Sequence, residues 1–484
     1  MTPQTILDEF VIFITIVSLS SCTVGPDFVR PEAPKTEQYT SSGKDPLTTQ
    51  PAGGIVQRFE TGQKVPESWW KLFNSSKLDP IVSKAMEKNQ TLQAALASLR
   101  QSQQNVMAGE GVFYPQIDAN LGASREQSNL ASIGVETPTN TFNLFTLSSS
   151  VSYALDIFGG NRRAVEALRA QMDGSRYTVQ AAYLSLTGNI VNTVIASAAY
   201  AAEIAATQEV IRLENEQVFL TRANVKAGTQ PDSILLTLQA QLANTEATLP
   251  PLRQRQNQTQ HLLAVLSGEL PSQWSSPAIE LADLKLPESL PVSLPSELVR
   301  QRPDILQSEA QLHVASAQIG VATAALYPSF TLNGSLGLSS GSVGDLISSN
   351  SSFWSFGAGI SAPLFQGGTL QSRKQAAVEA FQVALAVYRQ TVLTGFQQVA
   401  DALRALEHDA ELVQAQSDAL TAAEEAFKLT DANYRAGTAN YLQLLVANTQ
   451  LFQAKIGYFQ AVAGRYQDTV ALFVALGGPW HTSL

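Results

Sequence analysis

The chain has 484 residues, yet only 15% are charged, well below the roughly 25% of a typical soluble protein. A formal net charge of −10, with no basic cluster interleaved with aromatics, argues against a nucleic-acid partner. Beyond the first twenty residues no run of about 18 apolar residues occurs, so no transmembrane helix is expected.

The first feature in chain order is "FVIFITIVSLSS", an apolar stretch of signal-peptide length that ends in small residues before Cys22, the sole cysteine. Leu19-Ser20-Ser21-Cys22 matches a bacterial lipobox, which predicts a signal peptide over 1–21 and a lipid on Cys22. One feature departs from that pattern: no Lys or Arg precedes Cys22, whereas Asp8 and Glu9 do. Thr23 is not the Asp that holds lipoproteins at the inner membrane, so the outer membrane is favoured. Residues 22–79 are expected to form a lipidated extended lead and equatorial segment, in which 31–66 are rich in Pro, Gly and Thr.

The remainder is duplicated. "VFYPQIDANLGAS" parallels "ALYPSFTLNGSLG", Gly159-Gly160 parallels Gly367-Gly368, and Ala227-Gly228-Thr229 parallels Ala436-Gly437-Thr438. "LLAVLSGELP" parallels "LFVALGGPW", and all four landmarks lie about 210 residues apart in the same order. The first repeat spans 80–270 and the second 301–480, with 271–300 as a Pro-rich connector.

Each repeat begins with a helix and continues into strands at about 114–125 and 142–157, or 327–338 and 353–365. In the second repeat Phe330, Leu332, Leu336 and Leu338 alternate with Ser329, Thr331, Asn333, Ser335 and Gly337, which is strand periodicity with one apolar and one small or polar face. Trp354, Phe356, Ala358, Ile360, Ala362 and Leu364 continue it on the returning strand. Each strand is close to the 9–11 residues that cross a bilayer with tilt.

Proline-free stretches then run to residues 226 and 435, each long enough for a helix of roughly 100 Å. Their apolar residues recur at spacings of three and four, as in a coiled coil. Gly228 and Gly437 supply the left-handed stop, Pro231 suits the next start, and return helices follow over 231–267 and 439–476. The four histidines form no metal-spaced pair, and no phosphate loop or nucleophile elbow occurs, so neither enzymatic activity nor a cofactor is expected.

A bare apolar strand face needs lipid or a core, and an open sheet edge cannot rest in a bilayer. Four strands cannot close a barrel on their own, since about eight is the practical minimum. Chains must therefore pool their strands: two chains would give eight with an interior filled by side chains, and three would give twelve with an open lumen.

"CTVGPDFVRPEAP", "SWWKLFNSSKLDPIV" and "RQRPDILQSEAQLHVASAQIGVATAALYPSFTLNGSLG" resemble the TolC-like outer-membrane efflux factors, in particular their lipoprotein (NodT) branch, from Cys22 to Trp480. The resemblance implies a membrane β-barrel plus a long periplasmic α-helical barrel and an equatorial belt, built as a homotrimer with twelve strands. It implies a lipid-anchored outer-membrane duct serving a resistance-nodulation-division system, with a periplasmic membrane-fusion adaptor and an inner-membrane proton-driven pump as partners. Through "YRAGTANYLQLLVANTQ" it implies a pore gate at Tyr434, Leu442 and Val446, with the two Ala-Gly-Thr turns as adaptor-docking tips. Several relatives carry an acid at the position of Val446 and an Arg at that of Thr449, so the gate here is expected to close through apolar contact. Type I protein secretion, or a non-conducting periplasmic coiled-coil lipoprotein, are the competing functions.

Overall fold

The computed structural model describes residues 23–36, 38–40, 56–128, 140–275 and 277–478. Cys22 and the signal segment lie outside these described residues. In chain order the elements are β1 (Arg58–Thr61), α1 (Leu78–Lys88), α2 (Gln90–Glu110), β2 (Gln116–Ser128), β3 (Asn140–Leu155) and α3 (Gly160–Lys226). Then come α4 (Asp232–Glu246), α5 (Leu249–Leu266), β4 (Ser289–Val292), α6 (Pro295–Gln301) and α7 (Pro303–Ala324). The chain continues through β5 (Ser329–Ser340) and β6 (Ser352–Ser361) to α8 (Thr369–Arg435) and α9 (Tyr441–Ala475).

Two compact units form, and each draws on both sequence repeats. The first takes Ser98–Ser175 and Ser308–Tyr388 with the chain up to Pro31, and contains the four-stranded antiparallel sheet β2-β3-β5-β6. Two hairpins, β2–β3 and β5–β6, are joined by β3 against β5, with Leu155 opposite Phe330 and Leu147 opposite Leu338.

The second unit comprises Glu32–Ala97, Arg176–Gln307 and Arg389–Leu484. Its core holds Trp69, Phe73, Ile190, Leu298, Ile305, Leu444 and Phe473, all almost fully buried, with the Trp69 and Phe473 rings 5.4 Å apart. Burying one side chain of this size contributes about 1.5–3 kcal/mol. By length and composition α3 passes for a membrane span, but 56% of its most apolar stretch is buried inside the protein.

The proline-free stretches form α3 and α8, each an unbroken helix of 67 residues. Pro303 opens α7, its ring pre-setting the backbone for the first turn, and Asp304 in that turn suits the positive end of the helix. Arg302 itself donates to the Ala475 carbonyl at 2.6 Å, to Gln398 at 2.7 Å and to Asp304 at 2.6 Å. The start of α7 is thereby tied to α8 and to the negative end of α9.

Three local expectations are corrected. The first return helix, expected over 231–267, is two helices, because Pro250 and Pro251 lack the N–H groups that would continue α4 and instead occupy the first turn of α5. Pro231 is the extended N-cap of α4 rather than its first helical residue. Strand β6 stops at Ser361 instead of 365, just short of Pro363. The lead and the connector also pair through β1 and β4 in parallel, Phe59 opposite Leu290, a contact too short to leave a periodic signal.

Candidate lipid-facing sheet, tip turns and gate

Directly opposed residues in an antiparallel sheet share a face. The registers therefore place Ile117 with Val151, Leu121 with Leu147, Tyr153 with Leu332 and Phe330 with Ile360 on one face, together with Leu336 opposite Trp354. That face is mainly apolar, with Ser149 between Ala119 and Leu336 and with Arg125 opposite Asn143 toward one end, and Ile117, Leu121, Leu336, Trp354, Phe356 and Ile360 are each at least 66% exposed. The opposite face carries Asn120, Ser148, Ser150, Asn333 and Ser335, with the Ser335 and Ser355 hydroxyls 2.8 Å apart. Such a sheet is two-sided, greasy on one side and wettable on the other.

At the foot of the sheet, Gly159, Gly367 and Gly368 have positive φ, and Gly160 begins α3. These junctions let the chain leave a strand and enter a long helix within a few residues. A Cβ on Gly159 would collide with Thr23, because the N-terminal segment passes there, Val24 N–H donating to the Phe158 carbonyl at 3.1 Å. Further along, buried Arg163 donates to Asp27 at 2.6 Å and to Glu166 at 2.7 Å, Phe28 stacks on His313 at 4.3 Å, and Arg30 pairs with Glu309 at 2.6 Å. The first residue after Cys22 is thus held at the strand–helix junction. No sequence motif announced this strap, because its partners are separated by more than a hundred residues.

The tip turns are near copies of each other. Gly228 (φ 75°) donates to the Val225 carbonyl at 3.0 Å and Thr229 to that of Asn224 at 3.0 Å. Gly437 (φ 77°) donates to Tyr434 at 3.0 Å and Thr438 to Asn433 at 2.9 Å. Both are Schellman endings, and each threonine hydroxyl adds a bond to the same carbonyl as its N–H. Ala227 and Ala436 complete the turns, and all six tip residues are exposed. After the second turn Asn440 and Gln443 cap α9 reciprocally at 3.0 and 2.9 Å.

Among the gate candidates, Leu442 and Val446 lie one helical turn apart on the outer face of α9, 64% and 48% exposed. Tyr434 is placed differently: it packs against the cluster of Val218, Leu238 and Tyr441, and its hydroxyl is buried. Behind the same helices lies a carboxylate that sequence inspection missed. Glu214 is 2% exposed and accepts from Thr245 at 3.2 Å and from Asn448 at 3.2 Å through one oxygen, while the other is buried with no protein hydrogen bond. Burial pushes its carboxyl above the usual range despite the donors from Thr245 and Gln241.

A second carboxylate joins α8 to α9. Burial, reinforced by hydrogen bonding to and repulsion from Asp468, pushes Asp409 up to about 7, against the pull of Arg465 and His408. Asp468 also lines a cavity of about 540 Å³ with Asp401, Asn189, Asn192 and Gln398. Arg465, 3% exposed, donates to Gln57 at 3.0 Å.

Comparison with known proteins fits this arrangement. The chain is 30% identical over 403 residues to Nodulation protein T of Rhizobium leguminosarum bv. viciae, covering 81% of this chain and 77% of that protein. It is also 30% identical to the pyoverdine export outer membrane protein OpmQ of Pseudomonas putida, over 74% of this chain and 76% of the relative. The solved outer-membrane channel OprN superposes with a TM-score of 0.84 at 28% identity, covering 95% of this chain and all of that one. With residues 81–269 and 294–478 matching the outer membrane efflux protein family, this chain belongs to that family of outer-membrane efflux ducts.

Proposed function

We propose that three copies pool their sheets into one twelve-stranded barrel and serve as the exit duct of a tripartite pump for drugs or other small toxic compounds. The observation that carries this reading is the four-stranded sheet whose apolar face is bare from β2 to β6. A face of that chemistry favours lipid, and the polar face opposite suits a wet lumen. Cys22 is the lipid anchor, the Ala-Gly-Thr turns dock a periplasmic adaptor, and an inner-membrane proton-driven pump supplies the cargo. Leu442 and Val446 form the apolar gate, while Tyr434 packs against Val218, Leu238 and Tyr441.

The test is to express the chain, with an adaptor and pump encoded beside it, in a host lacking its own ducts. Drug resistance should rise, and unheated outer-membrane samples should run as a trimer that dissociates on boiling. A monomer recovered only in the soluble periplasmic fraction would overturn the reading.

A further inference from the structure

The charged residues of α3 near its tip are turned outward: Arg212 pairs with Glu209 at 2.8 Å and with Glu216 at 3.8 Å, all three well exposed. Glu214, between them in sequence, points the other way and is 2% exposed where α3 meets α4 and α9. Its Oε1 accepts from the Thr245 hydroxyl at 3.2 Å, from Asn448 Nδ2 at 3.2 Å and from Gln241 Nε2 at 3.4 Å. Its Oε2 is buried with no hydrogen-bond partner. The same holds for Oδ1 of Asn448, a residue 1% exposed. Two bonded side chains thus leave two acceptor oxygens bare in the core, and one proton is what they lack.

The surroundings do not suit a carboxylate. From α4 the charge acting on Glu214 is that of Glu246, another acid, and burial outweighs the donors from Thr245 and Gln241. From α9 it faces Tyr441, whose hydroxyl is pushed up to about 12, first by burial and then by Glu214 and Tyr434, and so stays neutral. Tyr434 of α8 packs into the same cluster, while Arg435 turns away to Glu216 and Asp431 on the surface. We propose that Glu214 is a proton-binding site, whose Oε2 carries a proton while α9 is seated on α3 and whose ionisation unseats α9. Its effect on the gate rests on the duct reading above, whereas the proton site itself does not.

Tyr441, Leu444, Asn448 and Leu451 form the buried face of the first turns of α9, and Leu442 and Val446 stand on the exposed one. Asn448 is therefore the polar link in the seam that fixes the gate-bearing segment, and Glu214 acts on the gate as a positioning residue through it. Protonated, Oε2 becomes a donor and the charge is gone. Ionised, the site holds a buried charge and a bare oxygen, which favours entry of water between the helices. The sign follows from linkage. The seated state binds the proton above the ordinary value of 4.5, and a hydrated, unseated carboxyl does not. Rising pH then favours the unseated state by up to about tenfold per pH unit in each copy.

The test uses the full chain purified from outer membranes. Its infrared spectrum should contain the carbonyl stretch of a buried protonated carboxylic acid that is missing from Glu214→Gln. In planar bilayers the parent's conductance should rise as pH is stepped from about 5 to about 8. Glu214→Gln, neutral throughout, should hold the parent's low-pH conductance at every pH. Asn448→Asp sets a second carboxyl against the first, so its rise should move up by about one pH unit or more, which also serves should the first variant fold poorly. A purely structural role would shift conductance alike at all pH values. Infrared spectra that do not differ in this band, or equal pH slopes in the parent and both variants, would overturn the proton site and leave the duct standing. A parent that conducts at no pH would overturn the duct reading, and the infrared comparison then decides the proton site on its own.

Discussion

Leu336 of β5 and Trp354 of β6 are direct register partners, and they are 66% and 80% exposed. Two large apolar residues left bare side by side are stable only against lipid or another apolar surface. Replacing Leu336 or Ile360 with Arg places a guanidinium on that face and should cost about 2–4 kcal/mol per site near the bilayer midplane. Folded trimer in the outer membrane should fall sharply for both variants, measured by heat-modifiable migration. Normal yields would show that this face does not meet lipid.

The strap from Thr23 to Arg30 ends beside Gly159, where a lipid on Cys22 would enter the membrane from the sheet's foot. Cys22→Ser with the signal retained should abolish incorporation of radioactive palmitate. Twelve pooled strands still hold the trimer, so drug resistance should largely survive. Labelling that persists in the variant would remove the anchor assignment.

Gly228 and Gly437 hold positive φ, and a Cβ at either position would meet no neighbouring atom. Substitution there acts through the backbone and the new side chain alone, with a strain of about 1 kcal/mol. The double variant Gly228→Asp, Gly437→Asp should therefore leave trimer levels unchanged while lowering drug resistance, as two exposed carboxylates enter the turns proposed to dock the adaptor. Unaltered resistance in a strain with an intact adaptor would argue that the tips do not dock it.

Periodicity made the strands and the long helices legible, since Phe330 to Leu338 alternate and α3 and α8 contain no proline. The turns were legible because glycine at a positive φ leaves a residue-level trace, as at Gly437. Pairings between distant segments left none. Arg163 with Asp27, Glu214 with Asn448 and Phe59 with Leu290 depend on tertiary placement that no local pattern encodes. Tyr434 shows the same limit from the other side: its place in the turn motif was clear, but its packing against Tyr441 and Leu238 was set by the neighbouring helices.

Asp409 offers a pH test of the α8–α9 joint. Its carboxyl lies at about 7 in the folded protein, against an ordinary value of 3.8, first through burial and then through Asp468. The folded state therefore binds more protons than the unfolded state between these values, so this group's contribution is fully present below pH 3.8 and is lost as pH rises to about 7. Thermal midpoints of the detergent-solubilised protein should fall between pH 5 and about pH 7.5. Asp409→Asn should flatten that slope while retaining the fold. An unchanged slope in the variant would assign the dependence to other groups.

The proposed gate rests on Leu442 and Val446 sharing one exposed face just past the capped turn. Residues of α9 on the other side, Leu444 and Asn448, are buried, so the helix is fixed and only the outer face is free to meet its symmetry mates. In the proposed trimer, three copies converging there would form a narrow apolar constriction that resists water and ions. Replacing both residues with Ser removes the apolar bulk and supplies hydroxyls, so the constriction widens and wets. The purified double variant should conduct more than the parent in planar bilayers, and cells without a bound pump should become more sensitive to vancomycin. Trimer stability should hold, because neither side chain belongs to the buried core. Equal conductance in parent and variant would move the barrier away from these two residues and toward the Tyr434 end of the turn.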